Sequence, residues 1–593
     1  MKKKLQLIPF VSICVLSGAA LSILTSCQFG KTDPKAADLS EAKTANLYTG
    51  TLNDDKTDIV TKSRGTLKYR TYEDIPYVSF SEVLNSLTGS DSYYSDFDDN
   101  VYTFELPSKE FTYTIAINVE KDTIAFNSYE KFIQALSGSS VINGLADTAD
   151  KENSLIKTDM SKYKFTDPGS TTFSLAASNL DTIADGSDVY LPFSVIESTI
   201  FESLSSPFAF NGTDFYAAIG SFFVKPQKSS SGESVTSSYC KAYYSGAYSD
   251  SSKRSSTMAE YAYNSICFNF NNFYGFNDKY FKNSDFDTYL KANYSTVRDH
   301  LKSRDARTYE TGINELYITV FGDGHTSTGA YSSFYGDVNN VTRGSVQSSD
   351  RVRTLSNSYN ELRASRINAF SGNVPGFSIQ NKTAIIRIDS YDTNGAKITP
   401  QNASSLTSTE TFAIFYSCFN QIQKRSEIEN VVIDVTLNGG GAVDALIETM
   451  GFLTRDVKIY LDNPTTKSTT TFSYNVDTNL DGQFDDNDSF AGKYNFYALT
   501  SSYSFSCANL FPTICKTTGA AKIIGEKSGG GSCVVRNGVT ADGMIIQMSG
   551  TERLNYEKDG KMIDNDGGIT PDYEYERANF YDNAKLAAFV ESK

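Results

Sequence analysis

Three separated stretches hold residue types that can act together on a carbonyl group. One is Ser504-Phe505-Ser506-Cys507-Ala508-Asn509-Leu510-Phe511. The apolar run at 495–499 before it reads as a buried strand, and 510–515 reads as the first turns of a helix. A serine on a sharp strand-to-helix turn has its hydroxyl aimed away from the sheet, beside the free N–H groups of the helix start. The same serine also suits a plain helix cap. The second stretch is Phe321-Gly322-Asp323-Gly324-His325-Thr326. Its glycines end a helix and put His325 on a loop, where functional and merely exposed histidines both occur. The third is Asn438-Gly439-Gly440-Gly441, between a buried strand at 431–435 and a helix at 443–453. A glycine turn in that place lets backbone N–H groups face developing negative charge, or is simply a tight turn. The lysine and hydroxyl of a phosphate loop do not follow it.

The rest of the composition narrows the chemistry. The chain has only two histidines, His300 and His325, and no H-E-x-x-H, which argues against a zinc hydrolase built on histidines. His300 sits in the charged run 298–304 and reads as solvated helix surface. Apart from Cys14 and Cys27, the cysteines are Cys240, Cys267, Cys418, Cys507, Cys515 and Cys533, with no C-x-x-C spacing. A formal net charge of −16 argues against a nucleic-acid partner.

The elements that must position these groups follow from patterning. From 381 to 593 short apolar strands alternate with helical stretches, such as the one carrying Phe412, Phe415, Phe419 and Ile422 on one face after a capping-box spacing at 407–410. Residues 257–326 read as a helical segment, with Tyr309, Ile313, Leu316, Tyr317 and Val320 on one face. Residues 327–380 read as a lid or insertion, and 226–256 as a linker rich in Ser, Gly, Lys and Tyr. Residues 61–225 read as an amino-terminal α+β domain in which 75–81 and 189–195 look like copies of one unit. Residues 28–60 are polar and read as a tether. Residues 1–27 form an export signal: Lys2-Lys3-Lys4, an apolar run at 7–24, then Leu24-Thr25-Ser26-Cys27. That ending resembles a bacterial lipobox, which implies lipidation of Cys27 and a chain exported and anchored to a membrane.

One acidic insertion, 477–488, has oxygen-bearing side chains at Asp477, Asn479, Asp481, Gln483, Asp485 and Asp488, with Gly482 at the sixth position. This is the order of a twelve-residue calcium loop, with Asp488 where Glu is usual. The alternatives are a structural calcium site and an acidic turn held by its own hydrogen bonds.

Taken in order, Asp323-Gly324-His325-Thr326, the run from Val431 through Gly441, and Ser504 through Phe511 followed by Ile523-Ile524-Gly525-Glu526 resemble the tail-specific, or carboxy-terminal processing, serine peptidases. Gly568-Ile569-Thr570-Pro571-Asp572 resembles that family's closing segment. The resemblance covers about 257–590 and implies an α/β core of the crotonase and Clp-protease type, preceded by a helical segment, that hydrolyses peptide bonds through an acyl-enzyme without a cofactor. It puts Ser506 on the nucleophile, and Gly440 and the Cys507 N–H on the oxyanion hole. Gly531 stands where the lysine-dependent branch has its base. The chain therefore looks closer to the tricorn-core branch, with His325 as base and a carboxylate near the carboxy terminus, Asp564 or Asp566, as its support. The family's glutamate after the serine segment is Asn509 here. A disulfide between Cys507 and Cys533 is a further expectation, from the even cysteine count of an exported chain; Cys507 in place of Ser506 as nucleophile is the weaker variant, since the matched position is the serine. The alternative function is an inactive lipoprotein with the peptidase fold that binds peptide or another ligand.

Overall fold

Runs such as Val431-Val432-Ile433 lack polar alternation because both faces of their sheet are covered. The six strands are, in spatial order, Phe377–Gln380, Thr383–Arg387, Asn430–Asp434, Asn495–Thr500, Lys522–Gly525 and Tyr573–Glu574. All neighbours run parallel except the first pair. Alternate side chains go to opposite layers. Ala384, Ile386, Val431, Ile433, Phe496 and Ala498 pack with the helices Thr411–Ile422, Val443–Gly451 and Cys507–Thr518. Ile385, Val432, Leu499 and Ile524 pack with Leu362 of the helix Asp350–Ala369 and with Leu586 and Val590 of Asn583–Glu591. The architecture is an α/β core with helices on both faces.

A second, antiparallel sheet stands beside it. Its long strand Ile545–Lys558 pairs with Ser327–Ala330, Val457–Asp462, Cys533–Val539 and Lys561–Ile563. Thr469–Val476 lies beyond Val457–Asp462 and receives Ile156–Thr158 and Lys164–Thr166 on its outer edge. A piece of the amino-terminal half thus completes a sheet of the carboxy-terminal half. The amino-terminal layer itself has a seven-stranded and a five-stranded sheet. Its core is continuous with the helix Ser256–Phe273 through Phe173, Ile266, Phe270 and Phe273.

This computed structural model describes residues 34–54, 58–89, 93–108, 111–136, 149–151, 154–167, 169–202, 207–217, 227–228, 234–235, 237–250, 253–282, 284–335 and 344–593. Residues 1–27, where an export signal and lipidation of Cys27 are expected, lie outside the described residues. Among the described residues no helix is long and apolar enough to cross a membrane.

Several boundaries differ from the sequence expectation. The polar tether at 28–60 contains a ten-residue strand, Lys43–Leu52, paired along its length with Ile59–Tyr72. Only Ala45 and Leu47 of it are fully buried, so a half-exposed strand carried too little apolar signal. The linker at 226–256 contains the helix Ser238–Tyr243, with Tyr239 and Tyr243 buried. Within 327–380 the described residues supply a strand to the second sheet and the helix that covers the back of the first. The capping box at 407–410 does not form. Glu410 instead accepts the N–H groups of Asn394 and Ala396, and the helix begins at Thr411. The two similar units at 75–81 and 189–195 lie side by side as antiparallel strands, Leu191 opposite Val78, each leading into a helix.

Candidate active site

The strand Asn495–Thr500 leaves the sheet into a turn whose polar groups are tied down. Ser501 Oγ donates to Thr436 O (2.6 Å) and Ser504 Oγ to Val435 O (2.8 Å). Phe505 N–H donates to Asn438 O (3.2 Å) and Ser506 N–H to Gly530 O (2.9 Å). These bonds fix the turn between the glycine turn and the 528–531 loop. They hold Ser506 at φ 56°, ψ −121°, a conformation costing a non-glycine residue about 1–3 kcal/mol. The helix Cys507–Thr518 starts at the next residue, yet the Ser506 side chain does not cap it. Ser506 is half-buried between buried neighbours. Among the described residues the Cys507 N–H has no acceptor, as expected at the first position of a helix.

The glycine turn lies directly against this serine. A Cβ on Gly440 (φ +117°) would stand 2.7 Å from Ser506 Cβ and 3.1 Å from its Oγ. The expected oxyanion donor needs a correction, however. The Gly440 N–H is already given to Asn438 Oδ1 at 2.8 Å, an Asx-type bond across the turn. The Gly441 N–H has no acceptor among the described residues.

His325 is held by its backbone. Asp323 Oδ1 accepts from the N–H groups of His325 (3.0 Å) and Thr326 (2.7 Å), and Asp323 Oδ2 accepts from Thr326 Oγ1, Ser549 Oγ and Tyr274 Oη. Gln547 Nε2, from the second sheet, donates to His325 O at 2.7 Å. The imidazole lies against the Phe505 ring, centroids 4.8 Å apart, so the histidine and serine loops meet at adjacent residues. The same ring fills the space beside Gly324 and Gly531, where an added Cβ would come within 2.6 Å of it. No hydrogen bond joins the imidazole to Ser506 Oγ among the described residues, and His325 Nδ1 is buried without a partner. Burial lowers the histidine pKa; the Arg351 charge lowers it further, while Asp323 and Asp566 oppose. The ring is therefore neutral near pH 7, the state a general base requires.

The two carboxylate candidates separate cleanly. Asp564 is on the surface, paired with Lys279. Asp566 is inside, and its charge acts on the imidazole. Burial raises its pKa, but two bonds from Arg351 (3.0 and 3.1 Å) and the Gly531 N–H (3.2 Å) outweigh this and hold it below the usual carboxylate range. Asn509 supports the segment carrying Asp566: its Nδ2 donates to Asn565 O (3.3 Å) and its Oδ1 accepts from Ser528 Oγ (2.6 Å). Sequence reasoning missed Arg351, which stands far from every motif; nothing in the run 349–353 marks it. His300 Nδ1 lies 2.7 Å from Glu315 Oε2 on the helical segment, away from this site.

The disulfide expected between Cys507 and Cys533 is absent, and among the described residues every cysteine is a free thiol. The two belong to different cores, Cys507 under the parallel sheet and Cys533 in the aromatic layer against Gly275. Burial pushes the Cys507 thiol up to about 12, and its Sγ donates to Gly441 O (3.1 Å), so it is no thiolate nucleophile.

In the acidic insertion the carboxylates turn onto the loop's own backbone. Asp477 accepts from the N–H groups of Asp481 and Gly482, Asn479 from Asp481, Asp481 from Gln483, Asp485 from Asn487, and Asp488 from Thr478 and Asp485. Gln483 adds no such bond. Among the described residues no group of three or more His, Cys, Asp or Glu side chains converges to hold a metal ion. These bonds form an Asx-bonded turn.

Residues 382–575 match the family described as Peptidase family S41. Among solved structures the chain is similar to the photosystem II D1 C-terminal processing protease, at 16% identity and a TM-score of 0.25, over 33% of this chain and 42% of that one. It is similar to a putative peptidase from Parabacteroides merdae at 14% identity and a TM-score of 0.38, over 57% of this chain and 96% of the other. It is also similar to the tricorn protease at 17% identity and a TM-score of 0.21, over 41% of this chain and 20% of that one. The chain thus spans less than half the length of the D1 processing protease. No curated protein matches it in sequence.

Proposed function

We propose that the chain, whose residues 382–575 match Peptidase family S41, is an exported, lipid-anchored serine peptidase with Ser506 as nucleophile and His325 as base. The observation that carries this reading is the strained φ 56° of a half-buried serine whose hydroxyl is left free beside a glycine turn and a helix start. A fold does not hold a serine there for a cap, since the side chain makes no cap bond.

The chemistry follows from the groups present. Ser506 Oγ attacks the peptide carbonyl carbon as His325 Nε2 takes its proton. The carbonyl oxygen becomes an oxyanion facing the Cys507 N–H and the glycine turn; one such donor typically lowers the barrier by ~2.7–4 kcal/mol. His325 then protonates the leaving amine, and water releases the acyl group by the same path in reverse. Asp566 is the carboxylate that orients the charged imidazole. The substrate is a peptide or protein, and Cys27 carries the membrane anchor.

The test is covalent labelling of residues 28–593 with a fluorophosphonate. Wild type labels; Ser506→Ala and His325→Ala do not. A folded wild type that resists labelling, also after the Arg351 substitution described below, favours the binding-protein alternative.

A further inference from the structure

Two features of the histidine side differ from what this scheme needs. His325 Nδ1 is buried and unpartnered. Meanwhile Asp566, the carboxylate suited to that nitrogen, has both oxygens on Arg351. The charged groups acting on the imidazole are Asp323, Arg351 and Asp566. Asp323 is committed to five bonds that shape the loop, so Asp566 is the carboxylate left to answer Nδ1. Arg351 does more than pair. Its Nη2 also donates to Asp566 O (3.3 Å) and Gly529 O (3.4 Å), and its guanidinium lies 5.7 Å from the centre of the Phe505 ring that touches the imidazole. One planar fork thus reaches the acid, the loop that anchors Ser506 N–H, and the ring between serine and histidine.

We propose that Arg351 is a positioning residue that decides where Asp566 points: the arrangement seen is a resting one, with Asp566 held on Arg351, and the working one has Asp566 on His325 Nδ1–H. The inference rests on the serine–histidine reading above. Its physical basis is an exchange of partners for one carboxylate. Asp566 leaves a bidentate, charge-assisted pair, and the imidazole gains the acceptor that fixes its tautomer and stabilises its charged form. The exchange makes or breaks no covalent bond. Its cost falls when something else takes the guanidinium, and an incoming acidic or carboxylate-bearing ligand would do so.

The experiment compares wild type, Arg351→Gln, Arg351→Lys and the double variant Arg351→Gln/Asp566→Asn. Fluorophosphonate labelling is read above pH 8, and the imidazole nitrogens are read by NMR with ¹⁵N-histidine, where two histidines make assignment simple and His300→Gln removes the other. Releasing Asp566 is expected to speed labelling by at least about tenfold, since loss of a triad carboxylate costs as much as ~10⁴. It should also convert His325 to the Nδ1–H tautomer with a strongly downfield proton. Arg351→Lys keeps a charge but not the fork, and shifts both readouts the same way by less. The double variant should lose both gains. Unchanged or slower labelling with an unchanged tautomer, in Arg351→Gln or Arg351→Lys that melts like wild type, overturns the proposal. A tautomer change without labelling in any variant supports the partner exchange and counts against the peptidase reading instead.

Discussion

The serine half and the histidine half of the site are finished to different degrees. On the serine side, Ser501, Ser504, Phe505 and Ser506 each give a hydrogen bond to a neighbouring loop, and the strained backbone is over-determined. On the histidine side the backbone is equally well held, but the imidazole has no partner at Nδ1 and Asp566 is bound to Arg351 instead. The difference teaches that this fold fixes the Ser506 backbone at the sheet–helix junction, while under the proposal above the geometry around His325 depends on two side chains that change partners. Strain at Ser506 is a fixed property of the chain; base strength at His325 is a set of contacts.

The comparison breaks first at its two chemical groups. Ser506→Ala is expected to abolish labelling, and His325→Gln to lower it by at least about 10³-fold, because members of such a unit fail together; stopped-flow or gel-based labelling rates measure both. Next comes the serine side's backbone. Gly440→Ala pushes a Cβ to 2.7 Å from Ser506 Cβ at φ +117° and should cost about 10²–10³ in rate through the displaced nucleophile and donors. Gly376→Ala, where no atom lies within 4 Å and the backbone is ordinary, should leave the rate unchanged. A smaller effect belongs to Asn509→Ala, which leaves the buried Ser528 hydroxyl without its acceptor and takes one of two donors from Asn565 O. A loss of about 1–3 kcal/mol in unfolding free energy, read by urea denaturation, is expected there.

The pH profile sharpens the contrast without mutation. His325 has its folded pKa depressed by burial, so its neutral, basic form persists below the ordinary value of about 6.5. Labelling should be full at neutral pH and fall only as the pH drops through that lowered value. A midpoint above about 6.5 in wild type would contradict the burial seen. The Asp566 pKa is also depressed, so its pairing with Arg351 contributes stability above the unfolded carboxyl value of about 3.9, and that contribution is lost as pH falls through the lower folded value.

How much of this was legible depends on where the signal lies. Val431 to Val435 and Asn495 to Leu499 could be read as buried strands because a sheet covered on both faces needs apolar residues at every position. Ser506, His325 and the glycine turn could be read because each sits at an element boundary that only certain residues tolerate. Gly531, at φ +84° and with an added Cβ meeting Phe505, is another such position. The strand Lys43–Leu52 was hidden because it fully buries only two side chains and leaves the others half-buried or exposed. Arg351 was hidden for another reason. Its role comes entirely from a contact with Asp566 across the fold, and a surface-type residue on an ordinary helix announces nothing locally. Asn438 was read as part of a turn, but its capture of the Gly440 N–H is a side-chain choice that spacing does not encode.

Mass-spectrometric mapping of the fluorophosphonate adduct, on folded wild type and Arg351→Gln at pH 8, puts the most direct question to the molecule. The account predicts one adduct, on the peptide bearing Ser506, absent when His325 is replaced by Gln. An adduct on any other residue, or equal labelling of Ser506 with and without His325, would contradict it.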